Sequence, residues 1–378
     1  MTKGIILSGG FARRLRPLSC LIPKSLMPVV NKPVIEHQIS LLKLAGVRKI
    51  VLAVSYMADV VEKHIGNGEK LGIEVVYTDE KSPLGTAGAI KIAEDHLSDD
   101  NFFMLNGDVI FNFDFNEMLK AHKYQKCIGL IASKIVEDPS RYGVIITEEK
   151  SNKILKFLEK SEYKPPEGIN KPMPINAGAY LLEPEIFQYI KPNKKVSMEK
   201  EIFPILAKEG KLYFHPISGI WKDIGKPEEL LEGNIQLMNE IIKNLEEKHQ
   251  NLIDESLNIE GKALIYPPVT IGKDVVIRKN CRIGPNVIIG DNVYIGANTE
   301  IKDALIYNKT YISENNKCEK SIISDNCFLH NRVQLKGNNH NLVILASFVE
   351  VLDNVKLIAP SNSSLTVCHH DVVSLDVF

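Results

Sequence analysis

Two periodicities of apolar residues follow one another along the 378-residue chain. Up to about residue 217 short apolar runs alternate with segments of helical spacing, and from Ile265 the spacing becomes six. In the first regime Gly4 to Leu7, Lys49 to Val54, Ile73 to Tyr77, Asn101 to Leu105 and Cys127 to Ala132 read as buried strands. Between them, Pro33 to Gly46 carries Ile35, Ile39, Leu42 and Ala45 on one face, with a proline suited to a first turn and a glycine suited to a stop. Thr86 to Leu97 and Phe115 to Lys123 repeat the helical pattern. This alternation predicts an α/β domain of Rossmann-like type, a mixed, mostly parallel sheet with helices on both faces. In such sheets ligands bind beyond the carboxyl ends of the strands, so the segments after Leu7, Tyr77 and Leu105 are expected to line one crevice.

Four further strand-like runs, Gly143 to Thr147, Ile154 to Glu159, Asn176 to Leu182 and Lys211 to Ile217, are broken by proline-rich loops and predict a substrate-side subdomain. Pro227 opens a polar-faced helix expected to reach about Gln250 and to act as a linker. Beyond it, Ile265, Ile271, Ile277, Ile283, Ile289, Ile295 and Ile301 recur every six residues, with Val269, Val275, Val287 and Val293 two places ahead of four of them. A period of six is neither helical nor alternating; it predicts a left-handed parallel β-helix built of hexapeptide repeats. After Ile301 the register blurs, although Val349 with Val355 and Val351 with Leu357 keep it. The expected division is therefore 1–235, a helical linker over 236–258, and a β-helix over 259–378. A solenoid has open ends and flat faces to cover, so self-association through this region is expected.

Composition adds exclusions. A net charge of −1 gives no general attraction to nucleic acid or to an anionic membrane. No apolar run reaches membrane length and none resembles a signal peptide, so a cytoplasmic protein is expected. The six cysteines form no C-x-x-C pair, which argues against a disulfide scaffold and a zinc ribbon.

The candidate chemistry begins where the first strand breaks into Ser8-Gly9-Gly10-Phe11-Ala12-Arg13-Arg14 and returns through Pro23-Lys24-Ser25. Glycines let backbone N–H groups approach an anion, and Arg14 with Lys24 adds positive charge, a combination suited to a polyphosphate. The spacing matches neither the Walker loop nor the dinucleotide fingerprint. A solvated strand-to-loop turn would also read this way. Asn106-Gly107-Asp108 ends another apolar strand, where Asp108 could hold Mg²⁺ or serve only as a turn residue.

Taken in order, the opening loop, Leu84-Gly85-Thr86-Ala87-Gly88, Asn106-Gly107-Asp108, Phe157-Leu158-Glu159-Lys160, Asn176-Ala177-Gly178-Ala179-Tyr180 and Trp221-Lys222-Asp223-Ile224-Gly225 precede a hexapeptide solenoid. In this the whole chain resembles the sugar-1-phosphate nucleotidylyltransferases, most of all their mannose-1-phosphate guanylyltransferase branch. The resemblance implies reaction of a nucleoside triphosphate, GTP favoured, with a sugar 1-phosphate to give a nucleotide sugar and pyrophosphate. It also implies Arg14, Lys24 and Asp108 as catalytic residues and Asp108 with Asp223 as ligands of Mg²⁺. Leu7, Gly9, Gly10, Arg14, Lys24, Glu80, Gly85, Thr86 and Gly88 would bind the nucleotide, and Gly143, Glu159, Lys160 and Asn176 the sugar phosphate. The bland alternatives are surface charge for Arg14 and Lys24, a strand edge for Glu159 and Lys160, and ordinary turns for the glycines.

The chain departs from the family where Ala12 and Arg13 replace a glycine and a threonine. Alanine resists positive φ, so the loop must take another path or bear strain of about 1 kcal/mol. Glu80 stands where relatives that use thymidine or uridine nucleotides tend to carry glutamine. A carboxylate only accepts hydrogen bonds, which suits the adjacent N1–H and N2–H donors of guanine. Two rival readings are a non-catalytic sensor of nucleotide sugars, suggested by the altered loop, and an additional acyltransferase in the β-helix using His330, His340, His369 or His370 as base.

Overall fold

The computed structural model describes residues 2–80, 83–148, 151–158, 172–245 and 250–378. The chain forms two compact units: one comprises the described residues up to Phe11, Pro23–Leu26 and Val34–Trp221, the other Ala12–Ile22, Met27–Pro33 and Lys222–Phe378. The division is thus not a single cut in the sequence.

In the first unit, strands β1 (Lys3–Ser8), β2 (Lys49–Val54), β3 (Glu74–Asp79) and β4 (Phe102–Asn106) pair in parallel in the order β4-β1-β2-β3. They connect through α1 (Val34–Leu44), α2 (Ala58–Ile65) and α3 (Gly85–Ile92). Helix α1 follows its predicted face, with Ile35, Ile39 and Leu42 buried, and Gly46 takes φ +86° just past its end. The predicted helix from Thr86 to Leu97 is broken, with α3 ending at Ile92 and a separate turn over Glu94–Leu97. Helix α4 (Phe115–Gln125) is capped by Asp114, which accepts from Asn116 N at 2.9 Å.

The sheet is completed by β5 (Gly129–Val136), β6 (Val144–Thr147), β7 (Ile154–Leu158), β8 (Met173–Leu182) and β9 (Leu212–Pro216). Strand β8 runs antiparallel to β4, β5 and β6, so the second half of the sheet is far less parallel than expected. The mixed α/β class nevertheless holds. The fully buried Phe102, Phe103, Tyr180 and Phe203 and the apolar centres of β1 and β2 form the core.

The second unit is a parallel β-helix with a helix and two N-terminal segments folded onto it. Isoleucines stack coil on coil, Ile271 on Ile289, Ile277 on Ile295 and Ile283 on Ile301, all buried. The first coils repeat every 18 residues, three hexapeptides, as in the Lys273 N to Asp291 bond. Later coils repeat at 17 residues, as between Asp291 N and Asn308, and then at 22, as between Asn331 N and Asp353. That change of coil length is why the sequence register blurs after Ile301 while Cys318, Leu335 and Leu357 still stack inward. The corners are turned by residues in the left-handed region, chiefly Asn280, Asn286, Asn292, Asn298 and Asn315, near φ +60°. Asparagine tolerates that conformation better than other residues with a side chain.

Helix α5 (Pro227–Lys243) ends well before Gln250. It buries Leu230, Leu231, Leu237 and Met238, and Asn234 accepts from Val30 N at 2.8 Å. Asn31 Nδ2 in turn donates to Ile289 O in the β-helix at 2.6 Å. A short hairpin within residues 27–33 therefore ties helix to solenoid. No described helix is long and apolar enough to cross a membrane.

Ala12 resolves the question of the altered loop in favour of strain, because it adopts φ 46° and ψ 38°. Its carbonyl accepts from Leu15 N at 2.9 Å and from Ser19 Oγ at 2.9 Å, which hold the turn in place. Ala12→Gly relieves a cost of about 1–2 kcal/mol and adds about 0.5–1 kcal/mol of unfolded-state entropy. The variant is expected to equal or exceed the parent in stability, by up to about 1.5 kcal/mol. A fall in melting temperature contradicts this reading.

Candidate active site

The first unit holds a cavity of about 360 Å³ at the carboxyl ends of β1 and β4. Its lining includes Leu7, Gly9, Gly10, Lys24, Glu80, Gly85, Thr86 and Asp108, eight of the residues singled out in the sequence. Strand β1 delivers the glycine segment, and β4 delivers Asn106, Gly107 and Asp108 next to it. The two ends are joined by Gly107 N donating to Leu7 O at 2.9 Å. A Cβ on Gly107 would sit 2.6 Å from that oxygen, so the close approach requires glycine.

Lys24 Nζ lies 2.6 Å from Asp108 Oδ2. The lysine side chain is 12% exposed and the aspartate 42%, so the carboxylate faces the cavity while the ammonium is largely covered. Among the described residues the charged members of the lining are Lys24, Glu80 and Asp108, one cation against two carboxylates. Burial pushes the Glu80 carboxyl above the ordinary range, the hydrogen bond from Leu84 N opposes it, and the neighbouring Asp79 adds to the rise. That bond is long, 3.4 Å to Oε2, and among the described residues it is the hydrogen bond this carboxylate accepts.

Helix α3 closes one side. Gly85 has φ +76°, and a Cβ there would approach Val196 O to 2.6 Å. Thr86 Oγ1 donates to Glu199 Oε2 at 2.7 Å and accepts from Met198 N at 2.9 Å, so its hydroxyl anchors the helix to the 196–199 segment. Val196 O accepts from both Ala87 N and Gly88 N. Gly88 is buried in the helix rather than on the cavity wall, where a Cβ would clash with Leu84.

Gly143 and Asn176 come together beside the cavity rather than in its lining. Asn176 N donates to Gly143 O at 2.9 Å, its Nδ2 donates to Tyr180 OH at 2.8 Å, and its Oδ1 accepts from Gly178 N at 3.0 Å. Gly178 in turn sits so close to Asn106 that a Cβ would fall 2.7 Å from Nδ2. Trp221 Nε1 donates to Ala177 O at 2.7 Å and its ring meets Tyr142 edge-on, giving this corner an aromatic wall.

Glu159 and Lys160 lie outside the described residues. Arg14 and Asp223 belong to the second unit. Arg14 sits on the short turn Arg13–Leu15 and a Cβ on Gly225 would fall 2.7 Å from its guanidinium; Asp223 is half-buried at the end of the strand Ile220–Asp223. Residues of the lining that sequence reasoning did not single out are Ser8, Ser25, Pro83, Ala89, Asn106 and Gly107. A signal for four of them was present, since Ser8 and Ser25 adjoin Gly9 and Lys24, and Asn106-Gly107 precedes Asp108 in an otherwise apolar strand.

Among the described histidines of the second unit, three have separate partners. His330 Nε2 is 2.7 Å from Glu350 Oε1, His369 Nε2 is 2.9 Å from Pro17 O, His370 stacks on Phe348, and His340 is exposed. Among the described residues no group of three or more His, Cys, Asp or Glu is gathered for a metal ion. Mg²⁺ needs no such cage, because it takes one or two carboxylates and completes its shell with phosphate oxygens and water. Asp108, a hard oxygen donor open to the cavity, fits that role.

Residues 3–240 match the family model "Nucleotidyl transferase", and residues 265–376 match "GMPPB C-terminal domain". The mannose-1-phosphate guanyltransferase of Saccharomyces cerevisiae is 42% identical over 269 residues, 70% of this chain and 72% of that protein. The mannose-1-phosphate guanylyltransferase catalytic subunit beta of Xenopus tropicalis is 39% identical over 275 residues, 72% of this chain and 73% of that protein. A probable mannose-1-phosphate guanylyltransferase 1 of Oryza sativa subsp. japonica aligns at 34% identity over 376 residues, 98% of this chain and 97% of that one. Among solved structures, a putative glucose-1-phosphate thymidylyltransferase from Bacillus anthracis superposes with a TM-score of 0.57 at 26% identity, covering 65% of this chain and 97% of that one.

The burial of Glu80 sets a stability test. A carboxyl whose folded value is raised stabilises the fold while protonated, and that contribution is lost as pH rises through the folded value. Glu80→Gln never ionises and keeps an acceptor for Leu84 N. It is expected to melt above the parent protein at about pH 7, with the gap closing towards about pH 4. An equal or lower melting temperature at neutral pH would show that burial of the charge is not costly here.

Proposed function

Because the chain belongs to the nucleotidyl transferase family, we propose that its cavity binds GTP with Mg²⁺ and that the protein transfers the guanylyl group to mannose 1-phosphate, releasing pyrophosphate. The observation that carries this reading is the convergence of Lys24 and Asp108, 2.6 Å apart, beside a glycine-rich strand end in one cavity. The chain is a sugar-1-phosphate nucleotidylyltransferase; the base and the sugar are the proposed part, supported by relatives named for guanylyl transfer to mannose 1-phosphate.

In the reaction a phosphate oxygen of the sugar 1-phosphate attacks the α-phosphorus, and the bond to the pyrophosphate oxygen breaks with its electron pair. No covalent nucleophile is needed. The glycine segment lets backbone approach the nucleotide, and Lys24 supplies a point charge for phosphate oxygens. Among the described lining residues one lysine stands against two carboxylates, a balance to which a polyanionic triphosphate would bring an added cation. Asp108 would hold Mg²⁺, which when bound neutralises charge on the phosphates and on the departing pyrophosphate. Glu80 accepts from guanine N1–H and N2–H, whereas facing uracil or thymine it leaves a carbonyl without a donor. Gly143 and Asn176, with the Tyr142 and Trp221 rings, form the corner proposed for the sugar; Glu159 and Lys160 are retained as its sugar-phosphate ligands.

The test crosses sugar 1-phosphates with nucleoside triphosphates and measures pyrophosphate release with and without Mg²⁺. Release is expected to be fastest with GTP and to vanish in Asp108→Asn. Glu80→Gln should narrow the preference for GTP over UTP and dTTP, by about tenfold or more. Tight nucleotide-sugar binding with no turnover of any pair would favour the sensor reading instead. A parent protein that prefers UTP or dTTP removes Glu80 as the reader of the base.

Self-association through the β-helix belongs to the same proposal. It is supported by a column of outward rings in which Tyr294 stacks on Tyr311 and Tyr311 on Phe328, with Tyr311 39% and Phe328 37% exposed. Light scattering is expected to find an oligomer whose size falls in Tyr311→Glu; a monomeric parent protein at micromolar concentration contradicts it.

A further inference from the structure

Two hydroxyls on the cavity wall take no part in the reading above. Ser8 ends β1 immediately before Gly9, and Ser25 follows Lys24 on the short turn Lys24–Leu26. Their Oγ atoms are 2.6 Å apart, although 17 residues separate them in sequence. Both residues line the cavity, yet Ser8 is only 8% exposed and Ser25 only 3%. Between them they own two protons, and only one can lie between the two oxygens. Among the described residues neither hydroxyl makes any other hydrogen bond. One O–H donor is thus buried, unspent and adjacent to the space that the nucleotide would fill. A buried donor without an acceptor is costly, and a ligand oxygen is what would satisfy it.

We infer that the Ser8–Ser25 pair is a nucleotide-binding element that donates a hydrogen bond to a phosphoryl oxygen of the bound triphosphate and of the pyrophosphate product. The inference deepens the proposed function by adding a neutral donor to the phosphate contacts of that cavity. The position of the pair favours a phosphoryl oxygen over a base or ribose atom. Ser25 follows the lysine whose ammonium meets Asp108, and Ser8 precedes the glycines that permit backbone approach. A donor facing a charged oxygen also makes a stronger bond than one facing a neutral oxygen. The shared proton couples the two side chains, so that removing one hydroxyl leaves the other free to rotate away from the ligand.

Calorimetric titration of the full-length protein with pyrophosphate in Mg²⁺ tests this without requiring turnover. The Ser8→Ala/Ser25→Ala variant is expected to bind pyrophosphate about tenfold more weakly or worse, with each single substitution in between. Melting temperature and the KM for mannose 1-phosphate should stay at parental values, and Ser25→Thr, which keeps the hydroxyl, should bind as the parent does. Unchanged pyrophosphate affinity in the double variant overturns the inference. So does a loss of affinity that comes with an equal rise in the KM for the sugar phosphate and a lower melting temperature, since the pair would then only brace the loops. If the double variant does not fold, the single variants decide by the same criteria. A parent protein that binds pyrophosphate but turns over no substrate pair defeats the proposed reaction and leaves this inference standing.

Discussion

The candidate site depends on a single constraint, the parallel pairing of β1 with β4 and the backbone bond from Gly107 N to Leu7 O with which that pairing ends. Two adjacent parallel strands necessarily present their carboxyl ends on the same edge. One of these ends in a glycine segment and the other in an aspartate. Because Gly107 has no Cβ, the two chain ends approach closely enough for Asp108 to meet the ammonium of Lys24. The lysine arrives on a separate turn, and the Ser8–Ser25 contact joins that turn to β1. Carboxylate and glycine segment are therefore placed by sheet geometry, and the lysine by its turn, before any ligand arrives, the arrangement that electrostatic catalysis of phosphoryl transfer would require.

Much of this was legible in the sequence, for identifiable reasons. Strand β2 was found at both ends because its apolar run is uninterrupted from Ile50 to Val54. The β-helix was legible because a six-residue period has no competing explanation, and its first coils obey it without deviation. The later coils were legible only in part, through Val349 with Val355 and Val351 with Leu357, because shortening to 17 residues and lengthening to 22 alter the spacing without altering which residues point inward. The reversal of β8 was also hidden. An antiparallel strand buried on both faces has the same apolar composition as a parallel one, as Ala179 to Leu182 show.

At the site, sequence reasoning located residues whose type announces chemistry and missed those that act through position. Asp108 and Lys24 stand out by charge and Glu80 by its position in the family pattern, and all three line the cavity; Ser8, Ser25 and Gly107 draw no separate reading because serine and glycine at a turn carry no chemical signal alone. Thr86 lines the cavity while its hydroxyl meets Glu199 and Met198 N, contacts that no sequence pattern announces. Ala12 shows a local rule yielding to the surrounding structure: a residue that disfavours positive φ adopts it because two hydrogen bonds hold its carbonyl.

The central claim is that a nucleoside triphosphate binds at the shared carboxyl edge of β1 and β4. Hydrogen–deuterium exchange, followed peptide by peptide with and without GTP and Mg²⁺, examines that edge directly. The account predicts slowed exchange at Leu7–Gly10, Lys24–Ser25, Gly85–Ala89 and Asn106–Asp108 together, the segments that line the cavity. Protection confined to the β-helix coils, with those four segments unchanged, would contradict it.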